Sequence, residues 1–557
     1  MVDLTESQRI IKRLKSLQSI RQPFEDDWRD LSEQLFGSYP KFDVVSKRDS
    51  REEVTTVINN TAKRALRTLA AGLMSGVSSP ARPWVNFVTS DRELMEKSEV
   101  RIWLSQVEYL ISQVMSKSNM YSSLHSVYYD LGSYGTSAIG IYDDYDDVIM
   151  TECYEIGTYY IDINSKGMVD TFYRVFTMTA NDIINKFGKD ALPDSFKYSY
   201  KDDLDTSEFK IIHAIEPNKN MKSSSKMSKH KEFVSTYVYY GVSSVSEPIS
   251  DLRNNKVLMT SGYDQFPIMC GRWHVSPGKV YGERSPGMLS LGDMRMLQRA
   301  ERNKYQALDK LINPALMNAS TTNNIGSGGL EPGQIIQVDN TKEAGLVPVY
   351  NVNYDLPAVI NDIYSIEKRI DSTHYVDLFQ QMLQSDRREM TRAEVDVRSS
   401  ETMLSLGPVL TGIHSDLLGN ITDRVFNICA KHEILPEAPE ELQGTSLELE
   451  YISTLAKAQR ADVSVTVEKT AAFVAGLSES FPMARHKLNA VQAINEFSIA
   501  ESSPPKMIVS DQDAMKAYQQ EQEQMAQQQQ QQMALEAAKV APGVAKATNE
   551  MKQEEEV

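Results

Sequence analysis

Apolar residues recur every three to four positions over most of the first ~125 residues, a spacing that places them on one face of a helix. Two such sets are Ile10, Leu14 and Leu17, and Trp28, Leu31 and Leu35. The run "VRIWLSQVEYLISQVM" has the same period. We therefore predict a helical N-terminal part.

Between Ala138 and about Pro267 the pattern changes to short apolar runs separated by Asp, Gly, Asn and Ser, which predicts strands. The runs are "SAIGIY", "VIMTECYEI", "DTFYRVFTM" and "FVSTYVYYGV". The Lys- and Ser-rich segment Asn218 to Lys231 has nothing to bury, so we predict an exposed hairpin loop.

From Pro286 onward the pattern predicts two long helices around a small β insertion. In the first helix one stripe comprises Met294, Leu297, Tyr305, Leu308 and Ile312. In the second, residues 355–378, a seam comprises Val359, Ile363, Ile366 and Ile370. Such a seam must pack against another helix. Residues 313–354 between them have short strand patterns and Gly-rich turns.

After Phe379 the pattern becomes polar, and we predict an irregular segment followed by a third long helix. Gly407-Pro408 should kink that helix, because Pro donates no backbone hydrogen bond and crowds the preceding turn. Further helices are predicted from Ser453 to Phe497, before a Gln-rich C-terminal segment. The predicted fold class is α+β, mainly helical.

Charge and cysteine content narrow the function classes. The 557 residues include 59 Lys and Arg against 76 Asp and Glu, a net charge of −17, which disfavours a protein that clamps duplex DNA. The three cysteines have neither a disulfide framework nor zinc-ligand spacing. The longest apolar run, Ala65 to Val77, contains Arg67 and is too short to span a bilayer.

The strongest candidate for chemistry is "IYDDYDDVIM", with Asp143, Asp144, Asp146 and Asp147 between two apolar runs. Paired hairpin aspartates can hold Mg²⁺, as in polymerases, but the alternative is a solvated acidic β-turn. We find no hydrolase elbow, no nucleotide-binding loop and no zinc-protease His pair. The residues therefore predict no enzyme and no cofactor.

The segment "REMTRAEVDVRSSE", Arg388 to Glu401, is densely charged and could be an acid/base site, a nucleic-acid contact or a solvated helix start. Thr391 and Glu394 have the spacing of a capping box, in which each side chain bonds the other's backbone N–H. Glu394, Arg398 and Glu401 are spaced for ion pairs along the first turns of a helix. These features favour a helix start.

Five segments resemble the portal proteins of short-tailed tailed bacteriophages, the head-to-tail connectors. They are "GLMSGVSSPARPWVNF", "SNMYSSLHSVYYDLGSYGTSAI", "RWHVSPGKVYGERSPGMLSLGDMRMLQ", "MTRAEVDVRSSETMLSLGPVL" and "LPEAPEELQGTSLELEYISTLAKAQ". They occur in the family's order and cover about residues 5 to 500.

This resemblance implies a portal fold with a wing, a two-helix stem, an inserted β-containing clip and a helical crown. The implied regions are residues 1–285 for the wing, 286–312 for the first stem helix, 313–354 for the clip and 355–378 for the second stem helix. Residues 379–390 would form the tunnel loop, 391–505 a long kinked helix with the crown helices, and 506–557 a Gln-rich extension.

The resemblance also implies a function: a ring, a dodecamer in this family, through which the genome is packaged and later ejected. A ring of twelve would carry about −204, which favours passage of DNA over binding. Arg387 and Arg388 could contact phosphates in the tunnel, or instead pair with Asp386 and Glu389. The charges from Thr391 to Glu401 would then fix the loop mechanically.

The implied partners are double-stranded DNA, the large terminase subunit, the major capsid and scaffolding proteins, a tail adaptor and internal core or ejection proteins. No membrane partner is expected. The implied location is one capsid vertex of the virion, after assembly in the host cytoplasm. A metal-dependent DNA-processing enzyme using the Asp143–Asp147 hairpin is the alternative hypothesis.

Overall fold

The chain divides into two compact units, which are described separately. Unit 1 comprises residues 1–84, 111–434 and 453–458, and unit 2 comprises residues 85–110, 435–452 and 459–557. The structure, a computed structural model, describes residues 5–37, 57–81, 83–89, 91, 94, 97–188, 208–222, 227–242, 256–319, 335–338, 346–348, 355–385, 406–442, 447–451, 466–478, 481, 483, 487–501, 514–528 and 530–532.

The helices and strands alternate in blocks along the chain. The helices are Glu6–Phe36, Thr61–Val77, Ser98–Lys117, Met120–Tyr134, Ala180–Phe187, Pro286–Ile312, Leu356–Thr373, Val376–Ser385, 406–413, Gly419–Lys431, 466–478, Ala490–Glu501 and 514–528. The strands are β1 Val85–Thr89, β2 Thr136–Asp144, β3 Val148–Tyr154, β4 Tyr159–Ile163, β5 Val169–Thr179, β6 Glu208–Pro217, β7 Phe233–Val242, β8 Val257–Tyr263, β9 Ile268–Arg272, β10 Leu316–Ala319, β11 Ile335–Val338, β12 Leu346–Pro348 and β13 Leu447–Tyr451.

A five-stranded antiparallel sheet, in the order β4-β5-β6-β7-β8, forms the main β layer of unit 1. Successive residues of a strand face opposite sides of its sheet. Ile212 and Ala214 of β6 therefore join a cluster with Ile10 and Leu14 of the N-terminal helix. On the other side the helix Ala180–Phe187 covers a second cluster. Helices thus cover apolar residues on both faces of this sheet.

Two smaller sheets complete the described β structure of unit 1. The first, β3-β2-β9, is antiparallel, and the second, β11-β10-β12, joins one parallel and one antiparallel pair. The second sheet lies in the chain between the two long helices. The predicted order of helix, β insertion and helix is confirmed, as is the hairpin loop at residues 218–231 between β6 and β7.

Unit 2 contains the antiparallel pair β1 and β13. The Glu108 carboxylate accepts a 2.9 Å hydrogen bond from the Phe87 N–H of β1. Burial raises the pKa of Glu108 to about 7, although this hydrogen bond lowers it. The Trp103 indole N–H donates to the Pro436 carbonyl at 3.1 Å. The predicted all-helical N-terminal part is therefore wrong at Val85–Thr89, whose strand partner lies more than 350 residues later.

The secondary structure after Phe379 also differs from the prediction. Residues Val376–Ser385 form a helix, where an irregular segment was predicted from Phe379. The predicted second long helix, 355–378, ends at Thr373. Gly407 and Pro408 lie within the described helical residues 406–413, and residues 386–405 before them lie outside the described part of the chain, so the predicted kink stays a prediction. The α-helical pattern is interrupted later, by a π-helical turn at His414–Leu418.

In the part of the chain that the structure describes, the helices were searched for a membrane span, and none combines the necessary length and apolar character.

Candidate functional site

The two long helices, Pro286–Ile312 and Leu356–Thr373, are the framework of the candidate site. The Ser285 hydroxyl caps the first helix by accepting from the Met288 N–H at 3.2 Å, and it donates to the Ser133 carbonyl at 2.7 Å. A Cβ on Gly287 would lie 2.4 Å from that same carbonyl oxygen. Glycine is therefore needed for the first long helix to begin this close to residue 133.

An apolar seam and an ion pair hold the two long helices together. Arg369, near the end of the second helix, contacts Asp293, near the start of the first, at 2.9 and 3.1 Å. The helices therefore run antiparallel. The seam consists of residues that are at most 6% exposed, namely Met294, Leu297, Ile363, Ile366 and Ile370. Burying each such side chain contributes about 1.5–3 kcal/mol.

A polar clamp fixes the middle of this helix pair to the segment at residues 58–61. The Gln298 amide accepts from the backbone N–H groups of residues 58 and 59 at 2.8 and 3.0 Å, and donates to the Asn59 carbonyl at 2.7 Å. The Asn59 amide donates to Glu301 on the first helix at 3.1 Å and to Glu367 on the second at 2.9 Å. One asparagine thus bridges both helices, and Lys304 pairs with Glu301.

The outer half of the helix pair, next to the β insertion, exposes several large apolar side chains among charged and polar ones. The first helix ends with Tyr305, Leu311 and Ile312, which are 57, 51 and 72% exposed. On the second helix Ile360 and Tyr364 are 50 and 64% exposed. The predicted stripe of the first helix is therefore buried at Met294 and Leu297 but not at Tyr305 or Ile312. Several large apolar side chains exposed on one part of a helix pair are a feature of interaction sites.

A sharp break separates the second long helix from the helix Val376–Ser385. Tyr375 has a φ of 56°, a left-handed conformation that is costly for a residue with a Cβ. The fully buried His374 places Nδ1 2.9 Å from the Ile370 carbonyl, so that Nδ1–H donates. Burial lowers the pKa of His374 to about 4, and the imidazole is therefore neutral near pH 7.

Phe379 anchors the helix Val376–Ser385 to the helix Thr61–Val77. Its side chain is 2% exposed. A Cβ on Gly72 would lie 2.2 Å from the Phe379 ring, well inside van der Waals contact. The absence of a side chain at residue 72 therefore creates the space that Phe379 fills.

The π-helical turn His414–Leu418 is stabilised by two polar side chains. The Asn420 amide donates to the carbonyls of Ser415 and Asp416 at 3.3 and 2.9 Å, which supplies partners where the α-helical pattern is interrupted. The Arg272 guanidinium, 4% exposed, contacts the Asp416 carboxylate at 2.9 Å. Strand β9, which contains Arg272, thereby fixes the position of the turn.

The aspartates between β2 and β3 have separate structural roles. Asp143 pairs with Lys431 and lies 3.7 Å from Arg424. Burial opposes ionisation of Asp143, but the Lys431 hydrogen bond and the nearby positive charges outweigh it and lower its pKa. Asp144 accepts from the N–H groups of Asp146 and Asp147 at 3.2 and 3.0 Å, as in a tight turn. Among the described residues, no group of three or more His, Cys, Asp and Glu could hold a metal ion.

The predicted site residues lie outside the described part of the chain. They are Arg387, Arg388, Thr391, Glu394, Arg398 and Glu401. The structure describes both flanks of residues 386–405, namely the helix anchored by Phe379 and the helical residues from 406 that lead to the π turn. Sequence analysis missed the Asn59 clamp and the Arg272–Asp416 pair. An arginine inside the apolar strand "IMCGR" was the available signal for that pair.

Comparison with known proteins gives consistent matches over nearly the whole chain. A family model described as "Bacteriophage head to tail connecting protein" matches residues 7–509. The portal protein of Salmonella phage epsilon15 is 35% identical over 521 residues, which are 93% of this chain and 91% of the relative. A probable portal protein of Bordetella phage BPP-1 is 32% identical over 510 residues, 91% of this chain and 90% of the relative.

The contact between Gly72 and Phe379 yields a first testable prediction. Gly72→Ala should lower the melting temperature, because the added methyl overlaps a buried ring and overpacking costs about 1–3 kcal/mol. Combining it with Phe379→Leu should cost less than the sum of the two single substitutions, since the smaller side chain makes room. Thermal unfolding of the purified full-length protein measures all three variants.

Gly292→Ala is the matched control. Nothing lies within 4 Å of a Cβ at this position in the first long helix. Alanine should therefore raise stability by roughly 0.5–1 kcal/mol through helix propensity. If Gly72→Ala and Gly292→Ala change the melting temperature equally, the contact between Gly72 and Phe379 is unimportant. The same follows if the effects of Gly72→Ala and Phe379→Leu on stability are strictly additive.

Proposed function

The chain belongs to the family of bacteriophage head-to-tail connecting proteins, and on that premise we propose how its helices and loops serve a phage portal. A portal is the passage through which the genome enters the head during packaging and leaves it on ejection. This role is structural. Nothing in the geometry of the Asp143–Asp147 hairpin or in the comparisons supports the alternative of a metal-dependent enzyme.

The observation that carries the mechanism is the exposed apolar outer half of the long helix pair. Tyr305, Leu311 and Ile312 would be unfavourably hydrated in an isolated chain. In a closed ring the same surface of each copy meets a different surface of the next, which is a heterologous contact. We infer that neighbouring helix pairs cover these residues, and that twelve copies close the ring.

We propose the regions of the portal from the resemblance to the family. Residues 1–285 form the wing, the helices within 286–312 and 355–378 form the stem, and 313–354 form the clip. Residues 391–505 form the crown with its long helix, and 506–557 extend from it. The described helix Val376–Ser385 shortens the proposed tunnel loop, so that residues 379–385 become a helical stalk and 386–390 its tip.

Arg387 and Arg388 are the proposed DNA contacts at that tip. Phosphate contacts by arginine carry no sequence information, as suits a channel through which a whole genome moves. Two contacts support this proposal. Phe379 fixes the helix before the loop, and the Arg272–Asp416 ion pair fixes the helical residues after it. The charged set Thr391, Glu394, Arg398 and Glu401 would stiffen the start of the helix that follows.

We propose that different partners contact the two ends of the ring. At one capsid vertex the portal would contact the major capsid and scaffolding proteins, and internal core or ejection proteins inside the head. From outside, the clip would bind the large terminase subunit transiently during packaging and then the tail adaptor. The terminase supplies the energy, because packaging a polyanion requires work and this sequence has no nucleotide-binding motif.

Imaging of the purified full-length protein tests the ring. We expect top views in electron microscopy to show a closed ring with a central hole wide enough for duplex DNA. Replacing Leu311 and Ile312 with Lys should prevent closure, because each copy would then bury unpaired charges. Intact rings from that variant, or wild-type particles without a hole, would contradict the proposed role of the helix pair.

Charge reversal tests the proposed DNA contacts. In phage carrying Arg387→Glu and Arg388→Glu, rings should assemble while nuclease-protected DNA per head decreases, because the proposed phosphate contacts are lost. The control, Arg387→Lys with Arg388→Lys, keeps the charge and should package normally. Normal packaging and retention by the Glu variant would refute the contact without affecting the ring proposal.

A further inference from the structure

The hairpin loop between β6 and β7, residues 218–231, is a strongly basic segment that the portal mechanism does not use, and the structure describes its residues 218–222 and 227–231. It contains five lysines and one histidine and no acidic residue, in a chain whose net charge is −17. The described lysines Lys219, Lys222 and Lys229 are exposed. Such a run is most simply a solvated loop, so a functional interpretation needs further structural support.

Side-chain hydrogen bonds hold both described ends of this loop in a defined geometry. The Asn218 amide donates to the carbonyls of Lys229 and Lys231 at 2.9 and 2.8 Å. The Lys222 N–H donates to the His230 carbonyl at 3.1 Å, which pairs the two arms beyond the sheet. The lysines are therefore presented from a fixed hairpin.

Strand β8 packs tightly against the same loop. A Cβ on Gly262 would lie 2.2 Å from the Ser228 carbonyl oxygen, so only glycine permits this approach. Next to it, Asp264 accepts from the Lys231 ammonium at 2.7 Å. Residues 228–231 are thus fixed against the sheet, and the side chains of Lys219, Lys222 and Lys229 are exposed to solvent.

The acids near the loop leave most of its charge uncompensated. Asp264 is engaged by Lys231. Glu216, at the end of β6, pairs with Arg9 and accepts from the Tyr173 hydroxyl at 2.8 Å. Glu232 follows the loop directly in the sequence. Because salt screens charges beyond about 8–10 Å, an approaching anion would feel this basic loop rather than the net charge of the chain.

We propose that the described lysines of this hairpin, Lys219, Lys222 and Lys229, bind the phosphate backbone of duplex DNA on a surface separate from the channel. Lysine ammonium groups are point donors to phosphate. The segment has no Phe, Tyr or Trp for base stacking, which single-strand binders use, and no branched aliphatic residue for a protein interface core. Its exposed apolar residues are Met221 and Met227. The duplex backbone is the partner that this composition fits best.

The test separates this surface from the channel by the form of the DNA. A covalently closed circular duplex cannot thread a closed ring, so its binding to the full-length protein reports only on outer surfaces. The test variant carries Lys219→Gln, Lys222→Gln and Lys229→Gln. The matched control replaces the exposed lysines Lys63, Lys117 and Lys166 by Gln, and a Lys-to-Arg version of the test variant preserves the charge.

Binding is measured over a range of salt concentrations. We expect the test variant to lose at least about tenfold in affinity at low salt. The slope of the logarithm of its binding constant against the logarithm of the salt concentration should become shallower by ~3 for each hairpin that contacts DNA. The control and the Arg version should bind like the wild type. Equal binding of DNA by the test variant and the control would overturn the proposal. Unchanged DNA binding with a changed mass of the assembly would also overturn it, because it would indicate that the lysines contact protein. Neither result affects the ring proposal, which rests on imaging.

Discussion

The packing of the two long helices against each other is the constraint on which the rest of this unit depends. Its apolar seam supplies most of the stabilisation, since hydrogen bonds that replace hydrogen bonds to water contribute only about 0.5–1.5 kcal/mol each. The Asn59 clamp adds specificity: its amide reaches Glu301 and Glu367 together only when the helices have one register. The exposed outer half is then presented as a rigid pair, which a ring contact requires.

Charged residues hold neighbouring helices and strands of unit 1 in position. Arg272 fixes the π turn through Asp416, and Lys431 and Arg424 neutralise Asp143. Removing the Asp416 carboxylate from beside the buried Arg272 guanidinium would cost several kcal/mol, because a buried charge would be left unpaired. A protein that guides DNA needs this stiffness, because its loops must keep their positions while the polymer moves past.

Much of this architecture could be predicted from sequence because helical periodicity is a local signal. The helix Pro286–Ile312 and the seam through Ile363, Ile366 and Ile370 were predicted correctly. The strand pair of Val85–Thr89 with Leu447–Tyr451 was missed, since pairing over such a distance leaves no local pattern. The helical Val376–Ser385 was missed because Phe379 owes its burial to Gly72. Net charge also says little about individual surfaces: the first long helix has five basic and three acidic residues.

Solvent access at the outer half of the helix pair tests the central claim most directly. Hydroxyl-radical labelling should compare Tyr305 and Tyr364 with Tyr145, a reference that is 98% exposed at the β2–β3 turn. If neighbouring pairs cover this surface, oxidation of Tyr305 and Tyr364 relative to Tyr145 will fall several-fold when dissociated chains assemble. An unchanged ratio in assembled particles would contradict the account, because the apolar half would then remain in water.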